Sequence, residues 1–235
     1  QKDRKIVQLI LDDVRKNGDN AVKKYEQKFN GKKTKQLRIS KQDLKNAKIT
    51  DAEFAALQLS AIRLSKSQRI LNKSLIQSVK KIPNISFVPI QSVGCYIPGG
   101  QARYPSSAIM SVITAAEAGV KRIVVVSPPN SDGKIDPMTI TVAQNCGAEI
   151  YKIGGAQAIA ALAYGTKSIP KVDKIVGPGG KFVSIAKAIV SEETPIDMIA
   201  GPTELGIMAD SSSDPEFIAY DLVSQAEHSN DTMCF

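Results

Sequence analysis

Near the end of the sequence, Gln225 and His228 are three residues apart in a stretch of helical character. On a helix, residues at this spacing project from one face, so the two side chains could share a metal ion. Imidazole is a common zinc ligand, whereas a glutamine carbonyl contributes only to a site that is already assembled. The chain contains one histidine, so these two residues do not complete a metal centre. A histidine at a helix end that interacts with the helix dipole is the commoner alternative.

Four glycine-containing loops form a second candidate site. They cover residues 96–100, 154–157, 177–180 and 200–204. Glycine lets backbone N–H groups approach a ligand, and a helix N-terminus favours an anion such as a pyrophosphate. None of the loops has the spacing of a GxGxxG or phosphate-binding P-loop motif. Each loop alone therefore predicts a tight turn. For the four loops together, a cofactor-binding cleft is an equally good interpretation.

The three cysteines, Cys95, Cys146 and Cys234, are scattered and have no CxxC spacing. This pattern predicts free thiols in a reducing compartment, and hence a cytoplasmic protein. Cys95 lies in an apolar predicted strand, where a thiol is usually inert. The single histidine has no visible partner, so the residues by themselves predict no catalytic nucleophile.

The net charge of +8 comes largely from lysines in the first third of the chain. A basic surface can bind nucleic acid. These lysines, however, alternate with apolar residues at helical spacing, which favours a solvated helix face. No apolar run reaches the roughly 18–20 residues that a membrane span requires. We therefore expect neither a nucleic acid nor a membrane as partner.

The pattern of residues 1–82 predicts helices. An apolar stripe at helical spacing, ended by Gly18, consists of Ile6, Val7, Ile10, Leu11 and Val14. A second helix is predicted over 19–29. A long helix is predicted over 50–79, where Thr50 and Glu53 have the spacing of a capping box.

From residue 85 onward, short β-branched runs alternate with segments of helical length. The predicted strands are 85–90, 93–97, 122–127, 149–153, 172–176 and 205–209. The predicted helices are 107–118, 137–145, 156–164, 181–190 and 214–228. This alternation predicts an α/β fold, in which helices cover a parallel sheet after a helical N-terminal lead-in.

Five longer stretches carry a family resemblance. They are residues 93–100 with 102–107, 154–160, 170–179, 196–198 with 200–204, and 222–228. In order and approximate spacing they resemble the histidinol dehydrogenase family, and the resemblance extends from the first helix to the end of the chain. Enzymes of that family oxidise L-histidinol to L-histidine through histidinaldehyde. They use two successive hydride transfers to NAD and a bound zinc ion.

The resemblance implies which residues contact the cofactor. Tyr96, Gln157 and Gly180 match family positions that contact NAD. The family typically has asparagine at the position of Gly180. Because glycine has no side-chain amide, any side-chain contact to the dinucleotide is lost there.

The resemblance also implies a substrate and zinc site. Thr203, Gln225 and His228 match substrate-contacting positions, and the last two also match zinc ligands. The family's acid–base pair, a glutamate and a histidine, would lie beyond Phe235. This chain is therefore expected to contain no catalytic residue, and to be inactive alone.

The family architecture implies two incomplete Rossmann-like domains, the second of them truncated. Residues 1–95 would form the lead-in and first part of domain 1, 96–203 domain 2, and 204–235 the return into domain 1. Residues 205–209 and the last helix would then have an exposed apolar edge. The resemblance further implies a homodimer. A non-catalytic fragment or binding module of the same fold is the alternative.

Overall fold

The structure is a computed structural model of the 235-residue chain. It describes residues 2–31, 36–100, 103–199, 204–226 and 232–235. The chain divides into two compact units, Gln1–Ile199 and Ala200–Phe235. The family resemblance predicted a different division, into domains 1–95, 96–203 and 204–235. It refers to the architecture of a complete enzyme and stays a prediction.

Four helices precede the first strand of the sheet. They are α1 (Lys2–Asn17), α2 (Asp19–Asn30), α3 (Lys41–Asn46) and α4 (Asp51–Val79). The apolar stripe predicted for α1 is confirmed at Val7, Ile10, Leu11 and Val14, which are all buried. Ile6, the fifth predicted member, is exposed. These side chains attach α1 to the rest of the first unit.

Capping boxes begin two of these helices. The predicted one is confirmed at α4, where the Glu53 amide donates to Thr50 Oγ1 at 3.2 Å and the Thr50 amide donates to Glu53 Oε2 at 2.8 Å. Ser40 and Asp43 form a second box at α3. The sequence did not predict α3, because this short helix buries none of its side chains and has no apolar stripe.

A four-stranded parallel sheet forms the centre of the first unit. Its strands are β1 (Ser92–Tyr96), β2 (Arg122–Ser127), β3 (Glu149–Lys152) and β4 (Lys174–Val176). They lie in the order β3-β2-β1-β4, and all three strand pairs are parallel. This is the order of the first four strands in the six-stranded Rossmann sheet, 3-2-1-4-5-6. The predicted α/β class with parallel strands is therefore confirmed.

Helices cover both faces of this sheet. Those that follow β1 are α5 (Pro105–Ala108), a π-helical turn (Ile109–Ile113), α6 (Thr114–Glu117), α7 (Pro137–Asn145), α8 (Gly155–Tyr164) and α9 (Lys181–Val190). Helices α1, α8 and α9 pack together on one face, and α4, α7 and the π-helical turn on the other. In β2, Val124 and Val126 belong to one core and Ile123 and Val125 to the other. Burial on both faces explains why this strand is apolar throughout.

The strand predicted over 85–90 was wrong, since no described strand includes these residues. Ile85, Phe87 and Val88 are exposed there. Pro89 has no N–H for a strand ladder, and none of the described strands pairs with this run. Two other predictions need new bounds: β4 begins at Lys174 rather than 172, and the helix predicted from 107 begins at Pro105.

In the described part of the second unit, 204–226 and 232–235, there are two short parallel strands and one helix. They are β5 (Glu204–Leu205), α10 (Pro215–Ala226) and β6 (Met233–Cys234). The strand predicted over 205–209 is thus limited to Leu205, and residues 227–228 of the predicted helix lie outside the described residues. Met208, Phe217 and Tyr220 are exposed, as expected for the predicted apolar edge. Among the described helices, none is long and apolar enough to cross a bilayer.

Candidate functional site

The carboxyl ends of β1 and β4 lie next to each other where the strand order changes direction. Strands β2 and β3 extend the sheet on one side of β1, and β4 lies on its other side. In open parallel sheets, ligands bind in the crevice outside such a switch point. Loops 96–100, 154–157 and 177–180 all leave this edge of the sheet. The fold therefore brings three of the four predicted glycine loops to one edge.

Tyr96 is the last residue of β1 and is buried. Its hydroxyl oxygen accepts a hydrogen bond from the backbone N–H of Gly155 at 3.1 Å. Burial raises the pKa of Tyr96 to about 12, so the phenol remains protonated at neutral pH. Tyr96 thus anchors the start of α8 to the end of β1.

A cavity of about 300 Å³ lies at the first turn of α8. It is lined by Ile10, Phe29, Asn30, Pro128, Gly154, Gly155, Ala156, Gln157 and Phe182. This volume is at the lower end of the range for ligand pockets. Its walls come from α1, α2, α8, α9 and the loop after β2. The cavity can therefore hold one group of a larger ligand at the carboxyl edge of the sheet.

Gln157 lines this cavity and is 1% exposed. Its Nε2 donates to Glu26 Oε1 at 2.8 Å. None of the described residues hydrogen-bonds its Oε1. A buried polar atom without a partner costs about 1–3 kcal/mol. A ligand that donates a hydrogen bond to this oxygen would remove that cost.

Gly155 connects the two residues predicted to contact NAD. Its N–H donates to Tyr96, and its φ is +60°. A Cβ at this position would lie 2.8 Å from Gln157 Oε1. A side chain would therefore be strained by the backbone conformation and would crowd the amide. Gly155 thus lies next to both Tyr96 and Gln157.

Gly180, the third predicted NAD contact, is the N-cap of α9. Its φ of −65° and ψ of 178° suit any residue, and a Cβ built there would have no atom within 4 Å. Phe182, two residues later, lines the cavity that Gln157 also lines. The space beside Gly180 can thus accommodate the asparagine that the family typically has.

Glu26 also belongs to this site, although no sequence motif predicts it. The carboxylate is 0% exposed and accepts hydrogen bonds from Gly154 N (2.9 Å), Gln157 Nε2 (2.8 Å) and Asn30 Nδ2 (2.6 Å). Burial raises the pKa of Glu26, while these hydrogen bonds act in the opposite direction. One signal could have identified it: position 26 lies one turn after Val22, on the buried face of α2.

Lys187 and Asp197 hold the loop that follows β4, and neither was predicted. Lys187, 2% exposed, donates to the carbonyl of Gly177 at 2.9 Å and also to Asp197 Oδ1. The other carboxylate oxygen of Asp197 accepts from Gly177 N at 2.8 Å. Both backbone polar groups of Gly177 are therefore bound by one ion pair, whose lysine is buried and whose aspartate is partly exposed.

Comparisons with known proteins agree with the predicted family. A family model described as histidinol dehydrogenase matches residues 1–235. The chain belongs to the histidinol dehydrogenase family. The histidinol dehydrogenase of Geobacillus kaustophilus is 45% identical over 234 residues, which cover 97% of this chain and 55% of that protein. That of Methanococcus maripaludis is 44% identical over 236 residues, with the same two coverages.

A solved structure agrees with this membership of the histidinol dehydrogenase family. The crystal structure of histidinol dehydrogenase from Elizabethkingia anophelis matches with a TM-score of 0.86 and 35% identity. The match covers 98% of this chain and 55% of that one. The chain thus spans about half the length of the histidinol dehydrogenases it matches.

The predicted zinc and substrate residues of this histidinol dehydrogenase family member are only partly within the described residues. Gln225 lies in α10 and is half-buried. Thr203 and His228 lie outside the described residues. Within the described ranges, no three His, Cys, Asp or Glu side chains group closely enough to hold a metal ion.

A larger cavity, of about 670 Å³, lies elsewhere in the first unit. Its walls include Leu75 and Ile76 of α4, the segment 87–90 and Met110. Gly177 and Pro178 of the third glycine loop line it, whereas Tyr96, Gln157 and Gly180 do not. Because Gln157, with its unpaired amide oxygen, lines the smaller cavity, we place the candidate cofactor site there rather than in the larger one.

Proposed function

We propose that this chain supplies the NAD-binding part of an enzyme that oxidises L-histidinol to L-histidine. The observation that carries the proposal is the meeting of Tyr96 and Gln157 at Gly155, beside the switch point of the sheet. The unpaired amide oxygen of Gln157 fits a dinucleotide, which offers hydroxyl, amide and amino donors. Family membership supports the substrate and the reaction class.

The residues of this chain would bind and orient the dinucleotide. When bound, NAD would supply the hydride acceptor for both oxidations, that of the alcohol and that of the hydrated aldehyde. Gln157 would hold the dinucleotide through its amide oxygen, while Tyr96 keeps the first turn of α8 in place. Each hydride departure also needs a base that takes a proton from the alcohol or the hydrate. From the family resemblance, we assign that base to the glutamate–histidine pair beyond Phe235.

Substrate and zinc binding form the second part of the proposal. Thr203, Gln225 and His228 would contact L-histidinol, and the last two would be zinc ligands. Two ligands are half of a tetrahedral zinc shell, so the other ligands must come from other residues of a complete enzyme. We further propose a homodimer in the cytoplasm. The three cysteines are free thiols, which is in keeping with a reducing compartment.

Calorimetric titration with NAD tests the cofactor site. We expect saturable binding to the chain and clearly weaker binding to the Gln157→Ala variant. Gln144, an exposed glutamine of α7, provides the matched control, because Gln144→Ala should bind NAD like the parent chain. Equal NAD affinity in all three proteins would show that Gln157 does not contribute to NAD binding.

Formation of NADH from L-histidinol tests the assignment of the acid–base pair. We expect no turnover by the purified chain, with or without added zinc, because the proposed base is not among its residues. Robust NADH production by this chain would contradict that assignment.

A non-catalytic binding module of the same fold is the second candidate. It is favoured by one observation: residues 1–199 form a compact unit with buried cores of their own. Such a module would bind NAD weakly or not at all, and would act through a partner subunit. Titrations of the chain with NAD and with zinc separate the two candidates, since only the first predicts a specific NAD site.

A further inference from the structure

Glu26 is a buried carboxylate that the proposed function does not use. It lies in α2 and contacts a loop that is more than 120 residues away in sequence, since the Gly154 and Gln157 bonds span 128 and 131 residues. Among the described residues, no lysine or arginine forms an ion pair with it. Its partners are neutral donors only. Buried carboxylates are costly, so a specific role in this place is expected.

The chemistry of a carboxylate determines how Gln157 is oriented. An ionised carboxylate only accepts hydrogen bonds, whereas a glutamine amide has one donor end and one acceptor end. Glu26 Oε1 already accepts from the backbone N–H of Gly154, which favours the ionised form. The amide of Gln157 must therefore direct its NH₂ group at Glu26. The opposite orientation would place the amide oxygen against a carboxylate oxygen.

This orientation decides what the site offers to a ligand. With Nε2 directed at Glu26, Oε1 is left beside Gly155 without a partner among the described residues. Gln157, Gly154 and Gly155 all line the 300 Å³ cavity. The free group at this wall is thus a hydrogen-bond acceptor, which a ligand with an N–H or O–H donor would satisfy.

We propose that Glu26 is a positioning and specificity-determining residue of the dinucleotide site. It holds the Gln157 amide so that the oxygen faces the ligand, and the site thereby selects a ligand group that donates a hydrogen bond. On a nicotinamide dinucleotide this group is a ribose hydroxyl, the carboxamide NH₂ or the adenine amino group. The inference rests on the proposed binding of NAD at this cavity.

Variants of Glu26 test the positioning role. Glu26→Met fills a similar volume without an acceptor, and we expect it to weaken NAD binding about tenfold or more. Glu26→Gln retains an amide oxygen that can accept from both Gly154 and Gln157, so it should restore most of the affinity. Asp13→Asn is the matched control: Asp13 binds Lys24 between α1 and α2 and does not contact the 154–157 loop. If Glu26→Met does not fold, Glu26→Asp replaces it, because its shorter side chain cannot reach both donors.

Dinucleotide analogues distinguish positioning from a general loss of structure. Three analogues of NAD each lack one donor: the carboxamide NH₂, the adenine amino group or a ribose hydroxyl. We expect one of them to bind the parent chain more weakly than NAD does, and to lose that difference in Glu26→Met. Purely structural damage would weaken NAD and all analogues by the same factor. Such uniform weakening, or unchanged NAD affinity in Glu26→Met, would overturn the inference.

A failure of the proposed NAD binding can be distinguished from a failure of the positioning role of Glu26. If the parent chain does not bind NAD, the cofactor assignment fails, and hydrogen exchange of the Gln157 side-chain NH₂ then tests Glu26 directly. Slow exchange in the parent chain and in Glu26→Gln, with fast exchange in Glu26→Met, would support the positioning role. Equal exchange rates in all three proteins would refute it.

Discussion

The backbone oxygen of Tyr96 occupies the place where a side chain on Gly177 would begin. A Cβ built on Gly177 would lie 2.1 Å from Tyr96 O, and the φ of Gly177 is +109°. The two residues end neighbouring strands of the sheet, so their contact sets how closely the two loops of the switch point approach each other. Glycine is required here by both the backbone conformation and the space.

We therefore expect Gly177→Ala to destabilise the chain by about 2 kcal/mol or more, because it combines backbone strain with a clash. Urea denaturation measures the change. Gly147 is the matched control, since it also has a positive φ (+65°) but no atom within 4 Å of a built Cβ. Gly147→Ala should cost only the backbone strain, about 1 kcal/mol. Equal losses in the two variants would show that the contact with Tyr96 is unimportant.

Removal of the Tyr96 hydroxyl should loosen the first turn of α8. Tyr96→Phe leaves the Gly155 N–H without its acceptor, and we expect a loss of about 1 kcal/mol in unfolding free energy together with weaker NAD binding. Denaturation and NAD titration measure the two effects. Tyr104→Phe, at an exposed tyrosine, is the control and should change neither quantity. Unchanged NAD affinity in Tyr96→Phe would show that the hydroxyl does not contribute to the cofactor site.

Asparagine at position 180 should be accepted by the fold and should favour the cofactor. Its Cβ would meet no atom within 4 Å, and asparagine is a better helix N-cap than glycine by a few tenths of a kcal/mol. We expect Gly180→Asn to bind NAD several-fold more tightly, as measured by calorimetry. Gly180→Ala is the control, because it adds a Cβ without the amide. An equal gain in both variants would mean that the amide makes no contact.

The ion pair of Asp13 with Lys24 should make stability depend on acid pH. Hydrogen bonds from Lys24 and Asn17 lower the pKa of Asp13 from 3.8 to about 2. A depressed carboxyl pKa stabilises the fold above the pKa of the unfolded chain, and this contribution is lost as the pH falls from about 4 to about 2. At neutral pH, we expect the unfolding free energy of the parent chain to exceed that of Asp13→Asn by on the order of 1 kcal/mol. Urea denaturation at several pH values should show the difference shrinking through that window.

Some elements were predictable because their signals are local. The bounds of β2, α7 and α9 follow from short apolar runs between glycine, proline and aspartate. The cap of α4 needs only Thr50 and Glu53, which are neighbours on one helical turn. The three loops at the carboxyl edge were also predictable, because alternating strands and helices place such loops on one side of a parallel sheet. The family resemblance then predicted Tyr96 and Gln157 as cofactor contacts, which stays a prediction.

Other features depend on residues that are far apart in sequence. The run 85–90 has strand-like residues but no pairing partner among the described strands, and a strand is stable only with one. Glu26 looks like a solvated charge in a lysine-rich helix, because its sequence neighbours do not reveal the 154–157 loop that buries it. The sequence by itself determined the periodicities, the caps and the family. Only the tertiary structure decided which buried polar groups meet, because hydrogen-bond partners more than 100 residues apart are chosen by packing and not by local spacing.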